Sequence, residues 1–284
     1  MSRQRLFTLT LSCPDRAGLI AAVSGFMASH RGSIADSKSN NVDGHFFMRL
    51  QVAADGLVLD FEGLKREFAG VAAAYGMRWQ LSDSAVVKRV VVLVSKLDHC
   101  LVDLLYRWRN RDFVFDIPCV ISNHPDLRRY VEWHDIPFFH VPVTPDTKQQ
   151  AFDRVEALFN EQRGDTIVLA RYMQVLSAAM CERHANRIIN IHHSFLPSFV
   201  GAKPYHQAYE RGVKLVGATC HYVTSELDAG PIIEQDVVRI SHEDTVEDVV
   251  RHGREVERAV LSRGVRYHVE DRVMIHGNKT VVFA

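Results

Sequence analysis

The polar residues best suited to chemistry lie in two segments, residues 188–192 and 214–231. The first predicts a short buried strand over residues 188–191, and side chains two apart on a strand project from the same face. Asn190 and His192 are therefore expected to share one site. The second segment is an apolar run that reaches Asp228 just before the turn sequence Ala-Gly-Pro.

An amide, an imidazole and a carboxylate are the groups needed for attack on a carbonyl by water or an amine. The amide donates a hydrogen bond to the oxyanion, and the other two groups move protons. Each residue also fits a purely structural role. An Asn at a strand end commonly caps a turn, an Asp before Gly-Pro commonly forms one, and a single His is often a core residue. Taken one at a time, the three residues do not establish a catalytic site.

The surrounding residues form a distinctive pattern along the chain. It consists of Asn190-Ile191-His192, Ser194, Leu196-Pro197, Gly201, Gly217-Ala218-Thr219 and Leu227-Asp228-Ala229-Gly230-Pro231-Ile232. This pattern resembles the folate-dependent formyltransferase superfamily, which includes glycinamide ribonucleotide formyltransferase and methionyl-tRNA formyltransferase. The longer string from Asn190 to Lys214 looks more specifically like the formyltetrahydrofolate deformylases, and the resemblance runs through the whole chain.

The resemblance implies hydrolysis of 10-formyltetrahydrofolate to tetrahydrofolate and formate. It implies that Asn190 and His192 stabilise the oxyanion, while Asp228 takes a proton from water and returns it toward the weakly basic N10. A carboxylate working near pH 7 needs a raised pKa, which burial beside Gly230-Pro231 is expected to supply. The folate is the substrate, and no cofactor or metal is expected.

The resemblance also implies a folate-binding segment, Leu169 to Ser177, whose backbone reads the pterin edge. Gln174 stands where an Arg is common in the family, which leaves the role of its side chain open. Without the resemblance, Met173 and Leu176 would be predicted to lie in the core. The implied substrate-binding residues are Met173, Gln174, Val175, Leu176, Ser194, Gly201, Thr219 and Val223.

Residues 95–100, Ser-Lys-Leu-Asp-His-Cys, depart from the formyltransferases that act on a nucleotide. Those enzymes have a Gly-rich loop that cradles the acceptor's phosphate, whereas this segment has no glycine and Asp98 would repel a phosphate. The departure favours water as the acceptor, although an ordinary strand-to-helix turn fits the same residues. The alternatives are formyl transfer to an amine and a binding sensor for folate or an amino acid. A formyltetrahydrofolate dehydrogenase is disfavoured because 284 residues leave no room for its second module.

Residues 1–83 predict a small domain with the order βαββαβ, a ferredoxin-like plan. The loop of residues 14–19, Pro-Asp-Arg-Ala-Gly-Leu, resembles the ACT domain, a regulatory module that often binds amino acids. Asp15, Gly18 and Leu19 are therefore candidate effector-binding residues, since a helix amino terminus can receive a carboxylate. An oligomerisation domain fits the pattern equally well, and a homo-oligomer is expected.

Residues 84–88 predict a linker, and residues 89–284 predict an α/β domain with a doubly wound, mostly parallel sheet. The apolar run Val90–Val94 is typical of a parallel strand buried on both faces. Ligands of such sheets bind at the carboxyl ends of the strands, where Asn190 and His192 are expected. The remaining predicted strands are Phe115–Ile121, Phe138–Val141 and Ile167–Ala170, and the predicted helices include Pro125–Glu132, Asp146–Asn160 and Thr245–Tyr267.

The composition argues against several classes of protein. With 34 basic and 34 acidic residues the net charge is zero, so no nucleic-acid or anionic-membrane partner is indicated. No apolar stretch approaches the roughly 18 residues of a membrane span, and no signal peptide is visible. Five widely spaced cysteines without a Cys-x-x-Cys pair favour reduced thiols in the cytoplasm over disulfides or a zinc site.

Overall fold

A computed structural model describes residues 4–198 and 204–284. The chain forms two compact units. The first comprises Met1–Val87, Glu270–Met274 and Val281–Ala284, and the second comprises Lys88–Val269 and Ile275–Thr280. All five cysteines are free and buried. No helix in the described part of the chain combines the length and the apolar character that crossing a membrane would require.

The first unit has the predicted βαββαβ order, and its antiparallel sheet has the strand order β2-β3-β1-β4. Helix α2 shows how the sequence sets its elements: Asp60 caps its start by accepting from the Gly63 N–H, and the left-handed Gly76 ends it. The elements are β1 Leu6–Pro14, α1 Leu19–Ser29, β2 Ile34–Val42, β3 His45–Ala53, α2 Phe61–Tyr75 and β4 Arg78–Asp83.

The carboxyl-terminal residues belong to the first unit, which differs from the predicted domain of residues 89–284. Phe283 and Val281 pack with Phe47 of β3 in a small apolar cluster. The buried Arg49 side chain donates hydrogen bonds to the backbone oxygens of Glu270 and Asp271, at 3.0 and 3.1 Å. These contacts join residues more than 200 positions apart, which local sequence periodicity cannot reveal.

The second unit is built on a seven-stranded sheet with the order β11-β10-β9-β8-β5-β6-β7. The five strands from β9 to β7 are parallel, and β10 and β11 are antiparallel, so the sheet is mostly parallel as predicted. Its strands are β5 Val90–Val94, β6 Val120–Ser122, β7 Phe138–His140, β8 Thr166–Leu169, β9 Ile188–His192, β10 Leu215–Tyr222 and β11 Ile232–Arg239.

The helices of the second unit include α8 Val246–Val269, which packs against β9, β10 and β11. Its long amphipathic pattern was readable from the sequence, whereas the short α6 and α7 were not predicted. The helices are α3 His99–Asn110, α4 Arg128–Glu132, α5 Lys148–Glu161, α6 Ala178–Arg183, α7 Pro204–Arg211 and α8, and a hairpin of β12 Val273–His276 and β13 Lys279–Val282 follows.

The strand predicted over Phe115–Ile121 is the largest local difference. Only Val120–Ser122 forms a strand, and before it Asp116 makes a single isolated bridge to Arg89, while Phe115 and Ile117 are buried. Pro118 lacks a backbone N–H and cannot donate to a sheet ladder, so continuous pairing begins only after it. The apolar residues before it pack instead, as the stacked rings of Phe113 and Phe115 illustrate.

Candidate active site

Asn190 and His192 lie at the carboxyl end of β9, and the antiparallel strand β10 supplies a partner for each. In the pairing register Thr219 is opposite His192 and His221 is opposite Asn190. The Nδ2 atom of Asn190 lies 3.2 Å from Nε2 of His221, whose Nδ1 lies 2.9 Å from a backbone carbonyl oxygen. A carbonyl only accepts, so Nδ1 of His221 carries a hydrogen and donates it to this oxygen.

Asp228 reaches the site through a tight turn after β10. Its backbone is left-handed, with φ of 55°, and the following Gly230 packs directly on β10. A Cβ atom at Gly230 would lie 1.9 Å from the carbonyl oxygen of Tyr222, so this close approach requires glycine. The turn is fixed further by the Tyr222 N–H, which donates to the Pro231 oxygen at 2.9 Å. The turn sequence therefore positions a carboxylate beside β9.

The structure brings the three candidate catalytic residues together. Asp228 Oδ2 lies 3.2 Å from Nδ1 of His192, and Oδ1 lies 3.7 Å from Nε2 of His221. The side chains of Asp228, His192 and His221 are only 11, 6 and 2% exposed, respectively. Asn190 contacts the same His221 ring, so an amide, two imidazoles and a carboxylate form one connected cluster. His221 was not singled out from the sequence; its place opposite Asn190 in the sheet register is what identifies it.

The pKa of Asp228 differs from the sequence-based expectation. Burial acts to raise it, as expected, but the hydrogen bonds and charges of His192 and His221 outweigh burial and hold the pKa of this carboxyl below its usual range. The expected raised pKa is therefore wrong for the protein without substrate. Asp228 is an ionised hydrogen-bond acceptor near neutral pH.

The second ring nitrogen of His192 is available to a ligand. Nδ1 faces Asp228, whereas Nε2 is buried and has no hydrogen-bond partner among the described residues. An unsatisfied buried polar atom costs about 1–3 kcal/mol, which a bound hydrogen-bonding group would recover. The neighbouring His193 ring lies 5.2 Å away between centroids. Burial, and secondarily the charge of Arg171, lower the pKa of His193 to about 3, so it is neutral near pH 7.

Two of the implied substrate-binding side chains instead hold the loop after β9. Thr219 is fully buried; its hydroxyl donates to the Ser194 oxygen and accepts from the Leu196 N–H, at 2.8 and 3.0 Å. The Ser194 hydroxyl donates to the Ser198 oxygen at 2.7 Å. Direct contact between the Thr219 side chain and a substrate does not fit this burial, because its hydroxyl already donates one hydrogen bond and accepts another. Gly201 lies outside the described residues.

The implied folate-binding segment follows β8, and its side chains differ in how far they are exposed. Met173 and Val175 are 55 and 53% exposed, whereas Leu176 is buried in the core, so the core prediction holds for Leu176 alone. The Met173 N–H donates to the Ser95 hydroxyl at 3.0 Å, which anchors the segment to the end of β5. Gln174 and Val223 are half-buried, and Val223 packs against the core. Other large apolar side chains exposed near these segments are Phe195 and Leu227.

One cluster of potential metal ligands occurs among the described residues. Ligand atoms of His99, Cys100 and Glu257 lie within 4.8 Å of one another. The Glu257 carboxylate already receives hydrogen bonds from His99 and Tyr205, and it lies 3.3 Å from the Arg171 guanidinium. Burial raises the pKa of the Cys100 thiol, which opposes the thiolate that a metal needs. The cluster of His99, Cys100 and Glu257 is therefore better explained by an ion pair between Glu257 and Arg171 than by a metal site.

The candidate effector residues lie around the start of α1. The Asp15 carboxylate is exposed and accepts from the Asn41 amide at 2.5 Å. Gly18 precedes α1 with φ of 92°, a conformation that favours glycine. The Leu19 side chain packs in the core at 2% exposure, so only its backbone N–H is available to a ligand.

Comparison with known proteins assigns the chain to a family. The family model described as "Formyl transferase" matches residues 88–265. A formyltetrahydrofolate deformylase of Corynebacterium sp. is 47% identical over 284 residues, covering 99% of both chains. The chain belongs to the formyltetrahydrofolate deformylase family. The crystal structure of a deformylase from Pseudomonas syringae pv. tomato superposes with a TM-score of 0.98 at 56% identity, covering 100% of this chain and 96% of that one.

The deformylases share their catalytic fold with a transferase. The phosphoribosylglycinamide formyltransferase of Anaplasma phagocytophilum is 32% identical, with a TM-score of 0.65 over 70% of this chain and 96% of that chain. The mostly parallel sheet of the second unit is thus the formyltransferase fold, as the sequence pattern implied.

Proposed function

We propose that this deformylase hydrolyses 10-formyltetrahydrofolate to tetrahydrofolate and formate at the cluster of Asn190, His192 and Asp228. The activity follows from the family, whose members match nearly the whole chain. The placement of the site rests on one observation, the 3.2 Å contact of His192 with Asp228 beside Asn190. The folate is the substrate and no cofactor is needed, since a formyl group leaves by hydrolysis.

The oxyanion is stabilised by Asn190 and His192. A formamide is a poor electrophile, so the barrier falls when donors lie where negative charge develops on the formyl oxygen. The amide of Asn190 and the vacant Nε2 of His192 serve as these donors. An Nε2–H donor requires that both ring nitrogens of His192 carry a hydrogen, with the Nδ1–H directed at the ionised Asp228.

Asp228 then moves the proton. The hydrolytic water attacks the formyl carbon and gives one proton to the Asp228 carboxylate, forming the tetrahedral intermediate. The C–N10 bond breaks as that proton passes to N10, and the second proton of the water leaves with the formic acid. The low pKa of Asp228 makes it a short-lived proton carrier, and we expect the pKa to rise when the folate excludes water from the cluster.

Asp228→Asn tests this assignment. The amide keeps the size of the side chain but cannot accept a proton, so folate binding is retained while formate release falls by at least about 100-fold. Formate release and equilibrium binding of 10-formyltetrahydrofolate are the two measurements. Asp153→Asn, an exposed carboxylate on α5, is the matched control and keeps full turnover. Near wild-type turnover of Asp228→Asn would refute the proposed role.

Two other activities are distinguished by one assay. A transferase that uses an amine acceptor releases no formate when the acceptor is left out, whereas a deformylase does. A binding sensor with an inactive second unit binds the folate without turning it over. Formate release without an acceptor therefore supports hydrolysis over both alternatives.

The first unit is proposed to be an ACT domain that binds an amino-acid effector at Asp15, Gly18 and the Leu19 N–H. The left-handed Gly18 before α1 supports this, because the backbone there leaves the helix amino terminus open to a carboxylate. A panel of amino acids is expected to include one that changes deformylase activity. Gly18→Val strains this loop and removes the response while basal activity remains. If calorimetry detects no amino-acid binding, the unit has only an assembly role.

A homo-oligomer is proposed because β2 is a long edge strand. Its nine residues pair with β3 alone in the described sheet, and an open edge of this length readily accepts another strand. Light scattering at several protein concentrations measures the subunit number. A cytoplasmic location is proposed from the five free, buried cysteines.

A further inference from the structure

Glu257 on α8 is a buried carboxylate that the reaction scheme above leaves unused. It is 1% exposed and contacts residues from three other segments. Its oxygens lie 2.8 Å from Nε2 of His99, 2.9 Å from the Tyr205 hydroxyl and 3.3 Å from Nε of Arg171. These partners belong to α3, α7 and the segment after β8, so one carboxylate ties four parts of the second unit together.

The charge of Glu257 is balanced by Arg171. Burial acts to raise the pKa of Glu257, but hydrogen bonding to His99 and the charge of Arg171 outweigh it, so the carboxyl stays ionised. The Arg171 side chain is only 9% exposed. A buried ion pair of this kind is strongly destabilised when one partner alone is removed, because the other charge stays buried without compensation.

Tyr205 connects this ion pair to the histidines of the site. Its hydroxyl donates to Glu257, and its ring lies edge-on to His193 at 6.1 Å between centroids. A Cβ atom at Gly253, one turn before Glu257 on α8, would lie 2.2 Å from the Tyr205 ring. The glycine therefore lets the ring lie flat on the helix with its hydroxyl at the carboxylate. His193 in turn lies beside His192.

Arg171 connects the ion pair to the segment proposed to bind folate. Its backbone is left-handed, with φ of 64°, and its carbonyl oxygen accepts from the Ser95 N–H at 3.3 Å. Two residues later the Met173 N–H donates to the Ser95 hydroxyl. The groups that act electrostatically on His193 are Arg171, Glu257, His192 and Asp228; Arg171 and Glu257 act with opposite sign.

We propose that Glu257 is a positioning residue for deformylation, which neutralises Arg171 and holds Tyr205 so that His192 and His193 keep their place and their charge balance. The inference rests on the proposed function of His192. It assigns no direct contact with the substrate to Glu257. The conservative change Glu257→Gln preserves the shape and one acceptor oxygen but leaves the Arg171 charge uncompensated.

Glu257→Gln is expected to shift the pH profile of kcat/KM to lower pH by about 1 unit, because the uncompensated charge of Arg171 disfavours further positive charge in the cluster of Asn190, His192 and Asp228. In Glu257→Gln the fold-decrease in kcat is expected to exceed the fold-change in KM by about tenfold. The variant disturbs the reacting groups rather than the residues that bind the folate. The double variant Arg171→Gln, Glu257→Gln removes both charges and returns the pH profile to that of the wild type. Tyr205→Phe removes a hydroxyl but no charge, so it lowers kcat with an unshifted profile.

Glu255→Gln, an exposed carboxylate two residues earlier on α8, is the control and leaves every parameter unchanged. Imidazole NMR signals of His192 and His193, recorded without folate, give a readout independent of activity. They are expected to move in Glu257→Gln and to return in the double variant. An unshifted pH profile and unmoved signals in Glu257→Gln overturn the inference. If the wild type releases no formate while the NMR signals still move in Glu257→Gln, the proposed function is refuted instead.

Discussion

At the scale of single residues, His221 contacts two of the three candidate catalytic residues, Asn190 and Asp228. Its Nε2 atom lies 3.2 Å from Nδ2 of Asn190 and 3.7 Å from Oδ1 of Asp228, and its Nδ1–H donates to the Tyr222 carbonyl oxygen. With 2% of its side chain exposed, the ring cannot reorient without disturbing β10. It therefore orients the Asn190 amide that we propose as an oxyanion donor, and it contributes to the low pKa of Asp228.

His221→Phe is expected to lower kcat by about 10- to 100-fold with little change in KM. The phenyl ring fills the same buried space but provides no nitrogen to orient the Asn190 amide. Steady-state formate release measures both constants. His242→Phe, at an exposed position, is the matched control. A wild-type kcat for His221→Phe would mean that the sheet register alone positions Asn190.

At the scale of elements, the short helix α6 is tied to α5 by one carboxylate. Glu156 of α5 accepts hydrogen bonds from Nε of Arg183 and Nε2 of His184, each at 2.8 Å. Hydrogen bonding to Arg183 is the main cause that lowers the pKa of Glu156 to about 2, with burial opposing it and His184 assisting. A six-residue helix has little stability of its own, so such contacts with its neighbour hold it in place.

Glu156→Gln is expected to lower the free energy of unfolding at pH 7, where the native state gains from the ionised carboxylate. A carboxyl whose pKa is lower in the folded state stabilises that state at pH values above its unfolded-state pKa of about 4.5. This stabilisation is lost as the pH falls toward 2. The stability difference between the two proteins therefore narrows between pH 4.5 and 2. Urea unfolding across this range measures it. Glu161→Gln, an exposed carboxylate at the end of α5, should change the pH dependence little.

At the scale of the whole molecule, the chain ends in the unit in which it begins. Phe283 and Val281 pack with Phe47, and the Phe283 N–H donates to the Arg272 oxygen at 2.8 Å. Phe283 is 6% exposed and Phe47 is 1% exposed. Phe283 is therefore part of an apolar core.

Phe283→Ala is expected to lower the unfolding free energy of the first unit by about 3 kcal/mol, because it removes a large buried ring. Denaturant unfolding followed by amide exchange in β3 reports on this unit alone. Val58→Ala, at a position 63% exposed, is the control and changes stability by less than about 0.5 kcal/mol. Equal exchange rates in Phe283→Ala and wild type would contradict the packing role.

The sequence by itself determined the mostly parallel sheet, the βαββαβ order, the family and the three candidate catalytic residues. Buried parallel strands are continuous apolar runs, and Asn190-Ile191-His192 with Leu227-Asp228-Ala229-Gly230-Pro231 is a dense local pattern, so both are readable along the chain. Only the tertiary structure decided the contacts of His221, the lowered pKa of Asp228, the buried ion pair of Glu257 and the carboxyl-terminal packing. Each of these depends on which distant side chains meet, and on how burial and neighbouring charges combine there, which spacing along the chain does not encode.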